Sequence, residues 1–157
     1  MTATATITST TADRYVAPTA FEQKVFARIL NGLMHLGISA KGSRILEHRG
    51  RTSGQTYRTP VNLLKLDGDD YLVAPRGEAQ WVRNVRAADG GLTLILGRRR
   101  RTYRAVEVPV EQRVPIIREY LVKWAWEVGK FFDGIDATST DEQIAAVAAG
   151  FPVFRLA

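Results

Sequence analysis

Residues 48–61 read HRGRTSGQTYRTPV. Three arginines, one histidine, three threonines and two glycines fall within these fourteen positions, which close on Pro60-Val61. The segment shows neither the 3.6-residue stripe of a helix nor the strict alternation of a half-buried strand. It sets a glycine-flanked Arg-Thr-Ser turn between two apolar runs. Ser43 to His48 reads as a short strand before the turn, and Tyr57 to Leu66 as a longer β-prone run after it. Glycine permits positive φ and close approach of the backbone to a ligand. Successive N–H groups in such a turn form an anion-binding concavity. Arg51 adds a permanently charged fork and Ser53 a hydroxyl. These are the parts of a phosphate cradle, and equally those of an ordinary basic surface turn.

Working outward, DGDD at 67–70 is a hairpin signal, and Tyr71 to Ala74 reads as the returning strand. PRGE at 75–78 is a second turn, followed by a helix over Glu78 to Ala88 with Trp81, Val85 and Ala88 on one side. Gly91 to Leu96 and Arg101 to Val108 read as paired strands across GRRR. A helix over 111–131 carries the stripe Val114, Ile117, Leu121, Trp124, Val128 and Phe131, a short helix over 140–149 follows, and FPVFRLA supplies a last strand. At the other end, Phe21, Val25, Ile29 and Leu33 mark an amphipathic helix over 19–36 that Gly37 can end. Its apolar face suits core packing, or peripheral contact with a membrane. Short antiparallel strands with interspersed helices predict an α+β domain, with the strands closed into a barrel that hides their edges.

The chain has 157 residues, a length that fits one domain, expected here over 19–157. The Thr/Ala-rich start, 1–18, has neither the basic start nor the apolar core of a signal peptide and is expected to be a poorly ordered tail. No cysteine is present, which excludes disulfides and thiolate metal sites and is compatible with a reducing cytoplasm. With two histidines, His35 and His48, a multi-histidine metal site is not expected. The net charge of +6 points to an anionic partner: nucleic acid, an anionic membrane, or a small molecule bearing phosphate or carboxylate.

The second turn narrows the choice. VAPRGEAQWVRNV at 73–85 places Pro75-Arg76-Gly77 between a strand and a helix start, where backbone donors favour anions. Trp81 and Asn84 share one helical face. Trp81 suits either a core or the wall of a ring-binding site.

The ordered series R-G-R-T-S-G-Q, R-T-P-V, V-A-P-R-G and W-V-R-N resembles the deazaflavin-dependent nitroreductase family over roughly residues 43–109, and FPVFRL is similar to that family's last strand. The resemblance implies a split β-barrel of the FMN-binding, pyridoxamine-oxidase type. It implies coenzyme F420 as hydride carrier, a deazaflavin with a phosphate and a glutamate tail. Carried over by position, Arg51 and Ser53 would hold the phosphate while Thr52 and Gly54 shape the turn. Arg58, Pro60 and Val61 would line the cofactor from the next strand. Ala74, Pro75, Arg76 and Gly77 would flank the deazaflavin head or its phosphate side, and Trp81 and Asn84 would support the ring and the ribityl-phospholactyl part. Thr52 departs from the commoner lysine, with Arg49 or Arg58 as the replacement cation. Pro75 departs from serine and offers neither hydroxyl nor N–H.

The activity implied is an F420H2-dependent oxidoreductase that passes a hydride to a quinone, a nitro compound or an activated alkene. The cofactor carries the hard chemistry, so no acid–base pair need appear, and none is found. Tyr120, Trp124 and Trp126 are candidates for the substrate wall: Trp124 lies on the apolar stripe, Trp126 off it. FMN or a tetrapyrrole on the same barrel is the alternative ligand. A basic nucleic-acid module built on Arg98–Arg101 is a further alternative, but no nucleic acid is expected as partner. Alternation sends Arg98 and Arg100 to one side of that hairpin, Arg99 and Arg101 to the other. The location expected is cytoplasmic or membrane-associated, as monomer or homodimer.

Overall fold

The computed structural model describes residues 14–17, 19, 20, 23, 24, 28, 42–132 and 134–157. Most of the expected 19–36 helix, its Gly37 stop and most of the 1–18 segment lie outside these residues. Six strands follow in order: β1 (Ser43–Arg49), β2 (Thr56–Leu66), β3 (Asp69–Val73), β4 (Gly91–Leu96), β5 (Arg99–Glu107) and β6 (Val153–Leu156). Among the described residues, three α-helices with complete bounds are interspersed: α1 (Gln80–Ala87), α2 (Val114–Val128) and α3 (Asp141–Val147).

The strands close into an antiparallel barrel in the order β1-β2-β3-β6-β5-β4. Closure gives each of these strands a hydrogen-bonded neighbour on both sides, though β1 meets β4 and β5 meets β6 over three residues each. The barrel is split, because β2 and β5 each serve two sheets. The first half of β2 pairs with β1 and its second half with β3. Likewise β5 pairs with β4 from Arg99 to Arg104, then with β6 from Ala105 to Glu107. The α+β split barrel read from the sequence is therefore the architecture observed.

Turn chemistry sets the register. Asp67 and Gly68 both take positive φ (52° and 83°) and join β2 to β3 through two residues, as hairpin twist requires. Gly97, at φ 59°, and Arg98 join β4 to β5 through two residues as well, so the second hairpin is tighter than the GRRR turn read from the sequence, and the strand begins at Arg99. Pro115 sits in the first turn of α2, where a missing N–H costs nothing, and the long helix starts at Val114 rather than 111. Thr140 and Gln143 close a capping box at α3.

Two cores flank the sheet. Inside the barrel, Leu46, Leu63, Leu72, Leu92, Leu94 and Phe154 meet Trp81, Val82 and Val85 of α1, which stops one end. Outside, Ile117, Tyr120, Leu121 and Trp124 of α2 and Ile144 of α3 pack on Leu64, Val73 and Val153. Phe132 and Phe151 stack there with ring centroids 4.5 Å apart. Of the described residues, no helix is long and apolar enough to cross a membrane.

Candidate functional site

The β1–β2 connection is a tight loop closed by main-chain hydrogen bonds. Gly50 N–H donates to Gln55 O at 2.7 Å and Gly54 N–H to Gly50 O at 2.9 Å. Gly54 takes φ 71° with open space around it. The Ser53 hydroxyl accepts from the Gln55 N–H at 3.2 Å and lies 3.2 Å from the Tyr57 hydroxyl. Arg51 is exposed, yet it is tied to α1: its Nη1 donates to Gln80 Oε1 and to Asn84 Oδ1, both at 2.8 Å. Its main-chain N–H also reaches Asn84 Oδ1, at 3.2 Å. The Nε and Nη2 of Arg51, and the N–H groups of Thr52 and Ser53, have no protein partner among the described residues. A guanidinium pinned by one nitrogen, with its other donors and two successive N–H groups open, is the donor set an oxyanion takes.

Behind the loop the support is buried. Asn84 and His48 are each 4% exposed, and Asn84 Nδ2 lies 3.0 Å from His48 Nδ1. His48 Nε2 lies 3.2 Å from Thr59 Oγ1, and the ring stacks on Tyr57 at 6.0 Å. Burial pushes the imidazole below its ordinary value, because the charged form is the more poorly solvated there.

The second turn has a different neighbour. Residues 14–16, assigned to the tail on sequence, pair with it: Val16 N–H donates to Arg76 O at 2.8 Å and Glu78 N–H to Arg14 O at 2.6 Å. Gly77 takes φ 83°, and a Cβ there would lie 1.9 Å from Arg14 O. The glycine thus admits a strand of the chain itself. Ala74 is buried and donates to Pro152 O, Pro75 O accepts from Arg14, and Arg76 lies 4.2 Å over the Phe131 ring while donating to Val16 O. The turn joins the loop site through α1, whose Gln80 lies three residues beyond Gly77 and touches Arg51. Glu78 fixes that helix start: Arg86 bridges Glu78 and Glu107, held strongly protonated by Glu107 first and Glu78 second. Glu107 also takes the buried Arg113, whose pKa burial lowers.

The other sequence candidates divide by face. β1–β2 pairing puts Val61 on the inner side with Leu46, where it packs against the barrel core, and Arg58 and Pro60 on the outer side. Arg58 meets Glu47 at 3.2 Å, and Arg100 meets the same carboxylate at 2.5 Å, holding it below the usual range with Arg100 the larger cause. Trp81 is 6% exposed and packs on Phe154 inside the barrel. Tyr120 and Trp124 are both 2% exposed in the outer core, 4.8 Å apart. Trp126 is 68% exposed, its indole donating to Lys123 O. The structure thus gathers Arg51, Thr52, Ser53 and Asn84 into one site. It adds Gln80 and His48, which the sequence reading did not assign. Their signals were slight: Gln80 precedes Asn84 by one helical turn, and His48 alternates with Arg44 and Leu46 on the inward face of β1.

The model of the F420H(2)-dependent quinone reductase family matches residues 21–142. The chain belongs to that family. No curated protein sequence matches it. Among solved structures, an F420-H2 dependent reductase (FDR-A) aligns at TM-score 0.50 and 17% identity, over 76% of this chain and 97% of that one. A structure described as a domain-swapped dimer aligns at TM-score 0.52 and 18% identity, over 90% and 100%. The Agrobacterium tumefaciens protein Atu2129, of unknown function, aligns at 0.51 and 17%, over 90% of this chain and 56% of its own. At these identities the likeness shows a shared fold.

As a member of the F420H(2)-dependent quinone reductase family, the chain is an F420-dependent oxidoreductase, and the geometry of its loop suits that cofactor. An anionic group can meet the open donors of Arg51, Thr52 and Ser53 without displacing any protein hydrogen bond. No group of three or more histidines or carboxylates suited to a metal occurs among the described residues.

Proposed function

We propose that this family member reduces a quinone with F420H2, and that nitroaromatic compounds and activated alkenes are alternative acceptors. The open donors of the Arg51–Ser53 turn carry the reading, because they offer a charged, pre-oriented seat for the anionic part of the cofactor. Arg51 holds the phosphate through Nε and Nη2 while Nη1 stays on Asn84 and Gln80. Thr52 and Ser53 add main-chain N–H groups, and Gly54 allows the loop its left-handed turn. Gly77 and residues 14–16 fix the start of α1, so Gln80 and Asn84 meet Arg51 from a rigid base. When bound in reduced form, a deazaflavin supplies two electrons as hydride, and a quinone accepting it takes a proton and leaves as the hydroquinone. The protein's part is to bind and orient. His48 behind the turn is buried, and burial favours its neutral form.

The test follows F420H2 consumption by absorbance with a benzoquinone, a nitroaromatic and an enone as acceptors, and FMNH2 as control donor. Turnover with the quinone supports the reading. F420H2 left unoxidised by all three sinks it. The domain-swapped dimer among the structural relatives supports a homodimer here; light scattering at the mass of one chain would rule that out.

A further inference from the structure

We propose that His48 is a positioning residue for the anion seat: in its neutral form, protonated on Nε2, it fixes the Asn84 amide and through it Arg51, so that anion affinity falls when His48 takes a second proton. This rests on the reading of the Arg51 turn as the seat of the cofactor's anionic part.

Donors and acceptors fix the orientation of each group. Asn84 has one side-chain acceptor, Oδ1, and one donor group, Nδ2. Oδ1 accepts twice from Arg51, from Nη1 at 2.8 Å and from the main-chain N–H at 3.2 Å. Arg51 can only donate at those atoms, so the amide orientation is settled. Nδ2 therefore points its hydrogens at His48 Nδ1, 3.0 Å away. That nitrogen must be bare, and the neutral ring carries its hydrogen on Nε2, donated to Thr59 Oγ1 at 3.2 Å. A proton on Nδ1 would set N–H against N–H. Turning the amide over would relieve that clash only by aiming Nδ2 at the two Arg51 donors. Either way the Asn84 amide can no longer satisfy His48 and Arg51 together, inside a site where Asn84 and His48 are both 4% exposed, and Gln80 Oε1 is left as the remaining side-chain acceptor for Arg51 Nη1.

The surroundings favour the neutral ring. From β2 it faces Thr59 and the Tyr57 ring, from α1 the Asn84 amide, and beyond Asn84 stands the Arg51 cation. The neighbouring carboxylate, Glu47, points to the other side of the strand, to Arg58 and Arg100. Burial lowers the imidazole pKa in the same sense.

Two measurements test this. In the protein without cofactor, a ¹⁵N NMR titration from about pH 8 to pH 4.5 follows the His48 ring, the Asn84 side-chain NH2 and the Arg51 amide. All three should move together, with one midpoint. In parallel, the Kd for F420 and for sulfate is measured across this range in the wild type, His48→Asn and His48→Leu. Asparagine puts a non-titrating acceptor near the place of Nδ1, so His48→Asn should keep wild-type affinity at pH 8. Wild type should then lose about tenfold more affinity than His48→Asn on going to low pH, the cofactor's own titration being common to both. His48→Leu removes the acceptor and should bind weakly throughout. Parallel pH profiles for wild type and His48→Asn overturn the proposal, as does an Arg51 amide that ignores the His48 midpoint. Failure of every variant to bind F420 would instead refute the proposed function, while the NMR and sulfate arms still decide the role of His48.

Discussion

Replacing Arg51 by alanine should weaken F420 binding by about 10- to 30-fold and leave the fold intact. The figure follows from where the guanidinium sits. A hydrogen bond to a charged group is worth roughly 1.5–3 kcal/mol, and every 1.4 kcal/mol is about tenfold in Kd. Arg51 is exposed, so solvent and salt screening place it near the lower end, roughly 1.5–2 kcal/mol. Stability should change by less than about 1 kcal/mol, since Asn84 Oδ1 keeps the main-chain N–H of residue 51 after truncation. The assay is fluorescence or calorimetric titration of oxidised F420 into wild type and variant, with thermal melts beside it. Arg58→Ala is the internal control: its guanidinium is matched by Glu47, so its loss should cost much less affinity. An Arg51→Ala protein that melts like wild type and binds as tightly would refute the reasoning. So would equal losses from the two substitutions.

Three further outcomes are expected. Gly77→Ala should destabilise by at least about 2 kcal/mol in chemical unfolding, because it combines an unfavourable positive φ with a Cβ 1.9 Å from Arg14 O; an unchanged midpoint would show that residues 14–16 do not hold that place. Glu107→Ala should cost about 2 kcal/mol, less than a fully buried pair because Glu107 keeps 32% of its side chain exposed, whereas Asp89→Asn, which removes the charge at the exposed Arg104 pair and keeps a residue that tolerates the positive φ of 53°, should cost under about 0.5 kcal/mol; equal effects would contradict the burial argument. The folded pKa of His48 is depressed, so its contribution to stability is complete above the ordinary imidazole value near 6.5 and declines as pH falls below it, where the unfolded chain takes a proton that the folded chain refuses; a His48→Asn protein should show a shallower decline in unfolding free energy over that window.

Local chemistry made the barrel legible before its closure. Asp67-Gly68 announces a two-residue hairpin, β4 runs over the same Gly91–Leu96 read from the pattern, and Pro60 in β2 did not break the strand because its neighbours pair around it. The turn at Arg51 was legible for the same reason, since glycine, arginine and serine hydroxyl act within five residues. What sequence could not fix was facing. Trp81 and Asn84 share a helical side, yet α1 stops the barrel so tightly that the indole is spent on Phe154 while the amide reaches His48 and Arg51. Asn84 is 36 positions from His48 and 33 from Arg51, separations that no local pattern reports. Gly77 was expected to flank the cofactor, and no local pattern reports that its missing Cβ also admits Arg14 O, 63 positions earlier by number. Tyr120 and Trp124 resolve by the same logic, as α2 turns both toward β2, β3 and β6 and leaves Trp126 in solvent.

The central claim is that the Arg51–Ser53 turn seats the anionic part of a deazaflavin. Direct titration of purified protein with F420, repeated with a deazaflavin lacking the phosphate and glutamate tail, tests it most plainly. Saturable binding of F420 is expected, with a loss of roughly tenfold or more for the truncated ligand, and Arg51→Ala should tell the two ligands apart less well than wild type because only the Thr52 and Ser53 N–H donors remain. Equal affinity of wild type for both ligands would contradict it.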